Sequence, residues 1–395
     1  MGSSGRYDRK WKKLNSYLYY RNLQKKWSQK KFFEFGKFLD SQLKIDEIKS
    51  LSTSIKTNKK KIKVGFLSAD LRGHHSITYF VRDILANYDR ENFSIVLINN
   101  QETEDATFKE LSKKVDQNIN ISKLSDIDAI NSLRNLKIDI VIDLMGVTSE
   151  QRVKLLSNRV APIQILWLGH NNTSGIKNMD YIIADKNVIF ESDKQLYSEK
   201  IIFLPEIWSA HSGFKNKRIE KVFPFHKNGF ITFGSFNNFN KINEDVVKTW
   251  SKILKNINNS KLLLKSSNKI QTKYRLLKLF KKYGVEKSII FNDHIDIFHE
   301  HLKLYDKIDI ALDTFPFNGV TTSFEALWMN VPVLVMKGFN FISRCGESIN
   351  KNLNLNELIA ENEEDYVLKA SNLAQDKIYL SKISKKIYTS CASSP

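Results

Sequence analysis

Cysteine is almost missing: Cys345 and Cys391 are the only two in 395 residues. A pair of thiols builds neither a disulfide scaffold nor a cysteine-based zinc site, and a reduced, cytoplasmic compartment is the simplest setting. Long apolar runs are missing too. None approaches the ~20 residues that cross a bilayer. The first residues are polar and basic, with no apolar core of a secretory signal, and Arg6 stands where a myristoylation motif wants Ser or Thr. There is no HExxH and no P-loop, and the adjacent histidines His74 and His75 lack the i, i+4 spacing of metal ligands, so no metal site is expected. No stretch repeats with a period of about 20 to 50 residues, which argues against a solenoid.

What the chain has in excess is positive charge, and it is concentrated. The formal net charge is +19, yet residues 1–63 hold 18 Lys/Arg against 5 acids, so roughly +13 lies in the first sixth. Such an arm suits nucleic acid, anionic lipid or an acidic partner, or is simply a solvated surface. Hydrophobic residues make up 42%, and the length accommodates two domains of about 150 residues plus an extension.

The pattern of apolar residues places these domains. "WSQKKFFEFGKFLDSQL" reads as a helix with Ser28 as N-cap and Phe32, Phe35, Phe38 and Leu39 at helical spacing. Ser52 to Lys61 reads as a polar linker. From Ile62 onward short β-rich runs alternate with helical or loop segments: "KIKVGFLS", "FSIVLINN", "KIDIVIDLMG", "PIQILWLG", "MDYIIAD" and "EKIIFLP". The alternation pauses over Trp208 to Gly229 and restarts with "FITFGS", "KLLLK", "KSIIFND", "KIDIALD" and "VPVLVMK". The expectation is an α/β chain with two doubly wound parallel sheets: a basic helical extension and linker over 1–60, one domain over 61–220 and a second over 221–395. Ligands in such sheets bind at the strand C-terminal ends.

Four polar loops follow or flank predicted strands and carry chemistry. In "DTFPFNGVTTSFEALWM" Asp313 ends a strand, and Thr321 and Thr322 open a helix whose free N–H groups suit phosphate. Thr322-Ser-Phe-Glu325 has the spacing of a capping box, which predicts Glu325 as a helix cap; the other reading is an acceptor for ribose hydroxyls. In "FGSFNNFNKI" Lys241 is either a counter-charge for a diphosphate leaving group or a surface lysine. "SADLRGHHS" crowds Ser68, Asp70, Arg72, His74 and His75 into one loop, where a histidine can move protons near neutrality or merely cap a turn. His299 and His301 precede the strand feeding the Thr-Thr loop, where an imidazole could stack on a base. Asp126 and Asp128 read as charge at a helix start rather than metal ligands.

Together "VGFLSADLRGHHSITYF", "RVAPIQILWLGHNNTSGIKNMDYIIAD", "FGSFNNFNKI", "EHLKLYDKIDIALDTFPFNGVTTSFEALWMNVPVLVMKG" and "SRCGESI…LNELIA" resemble the catalytic region of the O-linked N-acetylglucosamine transferases and the related SPINDLY-type O-fucosyltransferases. The resemblance implies a GT-B fold, two Rossmann-like doubly wound domains with a cleft between them. It implies an inverting, metal-independent glycosyltransferase that needs no cofactor and uses a nucleotide-sugar co-substrate, UDP-N-acetylglucosamine ahead of GDP-fucose or UDP-glucose, to glycosylate Ser/Thr of protein. Carried over by position, Lys241 contacts the donor diphosphate, Thr321 and Thr322 hold its phosphates, Glu325 takes the ribose hydroxyls, His301 packs on the base, Asn238 lies near the donor and His74 is the general-base candidate. The chain departs from animal members at Val320, where they carry histidine, and from its relatives at Val147, where they often carry His or Tyr. It also lacks their tetratricopeptide array, so a protein or peptide acceptor must be recognised otherwise, and the basic start is a candidate surface for an acidic one. A sugar-nucleotide epimerase and a non-catalytic basic nucleic-acid or surface-binding protein are the competing readings.

Overall fold

The computed structural model describes residues 21, 27–45, 48–53, 60–73, 75–148, 151–211, 213–214, 218–265, 270–293, 295, 297–392 and 394. Residues 1–20 of the basic start, read above as a contact for an acidic partner, lie outside the described residues, and so does His74. The chain divides into two compact units, the first ending at Ser212 and the second beginning at Gly213.

The first unit is built on seven strands: β1 (Ile62–Ser68), β2 (Phe93–Asn99), β3 (Gln117–Asn120), β4 (Ile140–Asp143), β5 (Ile163–Leu166), β6 (Tyr181–Ala184) and β7 (Lys200–Phe203). All pair in parallel, in the order β3-β2-β1-β4-β5-β6-β7. Val64 to Ser68 and Ile95 to Asn99 are buried without interruption, as strands covered on both faces must be. β3 is polar and was not expected; it joins as an edge by pairing Val96–Asn99 with Gln117–Asn120.

The helix Gln29–Ser41 starts where predicted, with the Ser28 hydroxyl accepting from Lys31 N–H. Its buried stripe runs through Phe32, Gly36 and Leu39, at i, i+4 and i+7, which leaves Phe38 56% exposed rather than in the expected apolar face. Gly36 is the reason. A Cβ there would lie 2.7 Å from both Gly175 Cα and Ser174 O, so helix and loop meet backbone to backbone. Gly175 itself holds φ +71°, a left-handed value natural only to glycine. Polar ties reinforce the contact. Gln29 Nε2 donates to Asn172 Oδ1 at 2.7 Å, and Lys177 N donates to Asp40 Oδ2 at 3.2 Å. Ile45 N and Leu43 O are both held by the side chain of Asn158, at 2.9 and 3.0 Å.

The second unit has six strands: β8 (Thr232–Ser235), β9 (Lys261–Lys265), β10 (Ile289–Asn292), β11 (Ile310–Leu312), β12 (Val333–Met336) and β13 (Ile359–Ala360). They are again all parallel, in the order β10-β9-β8-β11-β12-β13. The helix Glu244–Asn256, capped by Asn243, buries Val246, Val247, Trp250, Ile253 and Leu254 as its spacing predicts. Both sheets therefore reverse their order once, between β1 and β4 and between β8 and β11. At such a switch point neighbouring loops leave in opposite directions and a crevice opens beyond the strand ends.

The first unit encloses an unusual buried imidazole. His170 is 6% exposed and has the Thr173 carbonyl 3.3 Å from Nε2. Burial pushes its pKa from 6.5 down to about 4. The unfolded chain takes a proton below 6.5, whereas the folded chain resists until about 4, so this group's contribution to stability is complete above 6.5 and lost as pH falls toward 4. Asp143, pushed up to about 6 by burial, works in the opposite sense. Comparison with His170→Asn separates the two. Between pH 7 and 4 the wild type should lose about 3 kcal/mol more of its unfolding free energy than the variant, read from denaturant melts; parallel curves would show that His170 is not held neutral.

Candidate functional site

The loops after β8 and β11 leave the sheet on either side of the second switch point, and one carboxylate ties them together. Asp313 follows β11 and is 2% exposed. Its Oδ1 accepts from Gly319 N at 2.7 Å and Thr314 N at 2.8 Å, closing its own loop, and from Asn237 Nδ2 at 3.1 Å, reaching the loop after β8. Asn237 Oδ1 in turn accepts from the Thr322 hydroxyl at 3.0 Å. Lys241, part-buried at the end of the short turn Phe239–Lys241, reaches the same loop. Its Nζ donates to the Asn318 carbonyl at 2.8 Å and sits 4.0 Å above the ring centroid of Phe317. Burial lowers the lysine to about 8, against the opposing pull of Asp313 and Cys345, so it stays largely charged at neutrality.

The helix Thr321–Trp328 begins at this point, with Val320 in the N-cap position and no side-chain cap. Among the described residues the N–H groups of Thr321 and Thr322 find no acceptor, so they add their partial charge to that of Lys241. The capping box does not form. With Val320 as N-cap, the reciprocal position belongs to Ser323; Glu325 lies two residues further along the helix and is buried instead. Its Oε2 accepts from Tyr305 OH and from His301 Nε2, each at 2.9 Å. Lys265 Nζ, at the end of β9, lies 3.3 Å from His301 Nδ1. An ammonium only donates, so Nδ1 is the acceptor and Nε2 carries the hydrogen given to Glu325. Burial pushes the Tyr305 phenol well above its ordinary value, helped by Glu325 and Asp313, and lowers Lys265 against the pull of Glu325.

Lys241, Thr321, Thr322, Glu325 and His301 are thus brought onto the ends of β8, β9 and β11 within one unit. Asn238 is exposed and caps its own turn by accepting from Asn240 N at 3.0 Å; its neighbour Asn237 makes the tie. His299 is exposed. In the first unit the loop after β1 is pinned rather than open. Thr78 Oγ1 donates to Arg72 O at 2.8 Å, Gly73 N donates to Asp105, and His75 lies 3.3 Å from Asp70 with burial lowering its pKa against the pull of Asp70. Asp126 behaves as expected at a helix start, pairing with Arg152 at 3.1 Å. Sequence reasoning missed Asn237, Tyr305 and Lys265, none of which carries a local signal. Among the described residues no group of three or more His, Cys, Asp or Glu is placed to hold a metal ion, and no helix is long and apolar enough to cross a membrane.

Comparison with known proteins places the chain in a family. The model of the family described as glycosyl transferase family 41 matches residues 43–221 and 225–395. A Petunia hybrida protein described as a probable UDP-N-acetylglucosamine–peptide N-acetylglucosaminyltransferase SPINDLY is 31% identical over 347 residues, 86% of this chain and 37% of its own length. An Arabidopsis thaliana protein described as a probable UDP-N-acetylglucosamine–peptide N-acetylglucosaminyltransferase SEC is 29% identical over 353 residues, covering 85% and 35%. The chain therefore spans under two fifths of the length of these curated relatives. A solved structure of a Thermobaculum terrenum O-GlcNAc transferase mutant superposes with a TM-score of 0.89 at 25% identity, over 98% of this chain and 74% of that one. The two doubly wound sheets are the GT-B architecture.

The Glu325 cluster makes a direct prediction. Tyr305→Phe removes one of two donors from a buried carboxylate oxygen and leaves the Thr322 carbonyl without its 3.1 Å contact. Unfolding of the second unit should become easier by about 1–3 kcal/mol; an unchanged denaturant midpoint would mean the phenol contributes nothing there.

Proposed function

The chain belongs to glycosyl transferase family 41, and we propose that it transfers a sugar from a nucleotide-sugar, UDP-N-acetylglucosamine ahead of GDP-fucose, to Ser/Thr hydroxyls of a protein or peptide. The observation that carries this reading is that Lys241 Nζ is held on the Asn318 carbonyl, in the same loop that leads into the uncapped start of Thr321–Trp328 beyond the switch of the second sheet. Breaking the bond between an anomeric carbon and a diphosphate builds negative charge on the departing oxygens. A fixed ammonium and oriented N–H groups meet that charge without reorganising, and such donors are worth about 3–4 kcal/mol each in the transition state. In this mechanism they supply the positive charge that other glycosyltransferases draw from a metal ion. The acceptor oxygen attacks from the face opposite the leaving group, which inverts the anomeric centre.

The remaining assignments come from the family resemblance. Thr321 and Thr322 hold the phosphates through their N–H groups, and Asn238, by its place in the family motif, is assigned near the donor. Glu325 offers ribose hydroxyls the oxygen that His301 and Tyr305 do not occupy. His301, fixed by Lys265 and Glu325, keeps one ring orientation against which a base can pack. His74, on the loop after β1, is the proposed base that takes or relays the proton of the acceptor hydroxyl.

The test is thermal stabilisation and turnover with a panel of UDP- and GDP-sugars. The wild type should be stabilised by UDP-N-acetylglucosamine, and Lys241→Ala should lose that shift and reduce kcat by about 10²–10³-fold. Indifference to every nucleotide-sugar would overturn the donor site; stabilisation by GDP-fucose alone would move the donor to the other branch.

A further inference from the structure

The peptide linking Asn318 to Gly319 is gripped at both ends. Its carbonyl accepts from Lys241 Nζ at 2.8 Å, and its N–H donates to Asp313 Oδ1 at 2.7 Å. Asp313 collects two further donors on that same oxygen, Thr314 N and Asn237 Nδ2. Its other oxygen, Oδ2, is buried and has no hydrogen-bond partner. A carboxylate with one buried, unmet oxygen is stable as an anion only beside a positive charge. Lys241 is that charge. The other groups facing Asp313 are Tyr366, whose hydroxyl donates to the Asp313 backbone carbonyl at 3.0 Å, and Tyr305, which leads on to Glu325 and His301. Cys345 faces Lys241 from the helix Phe341–Asn352. Neither tyrosine is ionised near neutrality, because burial pushes both phenols well above their ordinary range.

We propose that Asp313 is a proton-accepting positioning residue of the donor site: when a nucleotide-sugar's diphosphate draws Lys241 away from the Asn318 carbonyl, Asp313 takes up one proton from solvent at Oδ2. This deepens the donor-site reading above and rests on it. A diphosphate brings two negative charges to the one lysine that balances Asp313. A buried carboxylate left without its counter-charge neutralises rather than stay charged. The proton it gains is the only atom transferred, and no bond in the donor changes at this step. Burial already holds Asp313 up at about 7, with Lys241 at about 8, so both groups are poised to change protonation when an anion arrives.

The consequence is a donor affinity coupled to two protons, one on Asp313 and one on Lys241. A single linked proton cannot change a binding constant by more than about tenfold per pH unit. Isothermal titration of the full chain with UDP-N-acetylglucosamine across pH 6 to 9 reads the difference. Between pH 7.5 and 8.5 the wild-type affinity should fall by more than about tenfold, and that of Asp313→Asn, which keeps the acceptor oxygen but cannot titrate, by about tenfold or less. A wild-type fall of tenfold or less overturns the inference whether or not the variant folds. The same steep fall in Asp313→Asn also overturns it, by placing the second proton elsewhere. A purely structural Asp313 gives this same parallel result, with binding weakened equally at every pH. If the wild type does not bind this donor at all, the donor-site reading fails first and this inference falls with it.

Discussion

One buried carboxylate organises the second unit. Asp313 stands at the end of β11, beside the point where strand order reverses, and joins the two loops that flank it. Through Asn237 it fixes the loop after β8 and reaches the Thr322 hydroxyl; through Gly319 N it shapes the turn that aims the helix start. Lys241 completes the circuit from the other side of the same peptide. The cost of burying a charge is met here by several N–H donors and a lysine together, and losing any one leaves the others badly placed. This acid holds in register the loops that carry the helix start and the ammonium.

A second constraint concerns the acidic side of the site. Glu325 and Asp313 are both buried within the same unit as Lys241 and Lys265, and each acid influences a lysine: Asp313 opposes the lowering of Lys241, and Glu325 opposes that of Lys265. Each acid holds its lysine's pKa above where burial alone would leave it, which favours the charged form that an anionic ligand needs. The pairing of one acid with one lysine at each end divides the site into a diphosphate part around Lys241 and a nucleoside part around His301, in the reading proposed here. Val320 stands at the N-cap of Thr321–Trp328.

Much of this architecture was legible in the residues. The strands β1, β2 and β4 to β12 announce themselves because parallel sheets covered on both faces need near-continuous apolar runs. β3, four polar residues, and β13, two residues long, escaped because their existence depends on an edge already being present to pair with. The site was visible in outline but not in wiring. Glu325 sits at capping-box distance from Thr322, and that local pattern is identical whether the glutamate caps or not. What decides is Tyr305 and His301, 20 and 24 residues earlier in the chain. In the same way Asn237, Asn238 and Asn240 look interchangeable within one loop, and only the long-range contact with Asp313 singles out the first. The helix Gln29–Ser41 was foreseen, but its packing was not, since Gly36 belongs to no apolar pattern and matters for what it lacks.

The central claim is that Lys241 and the start of Thr321–Trp328 form the cradle of a donor diphosphate. A crystal structure of the chain with UDP-N-acetylglucosamine tests it most directly. The account predicts a diphosphate oxygen at about 2.7–3.2 Å from Lys241 Nζ and another at that distance from the N–H of Thr321 or Thr322, with the lysine withdrawn from the Asn318 carbonyl. A bound donor whose phosphates lie elsewhere, with Lys241 still on that carbonyl, would contradict it.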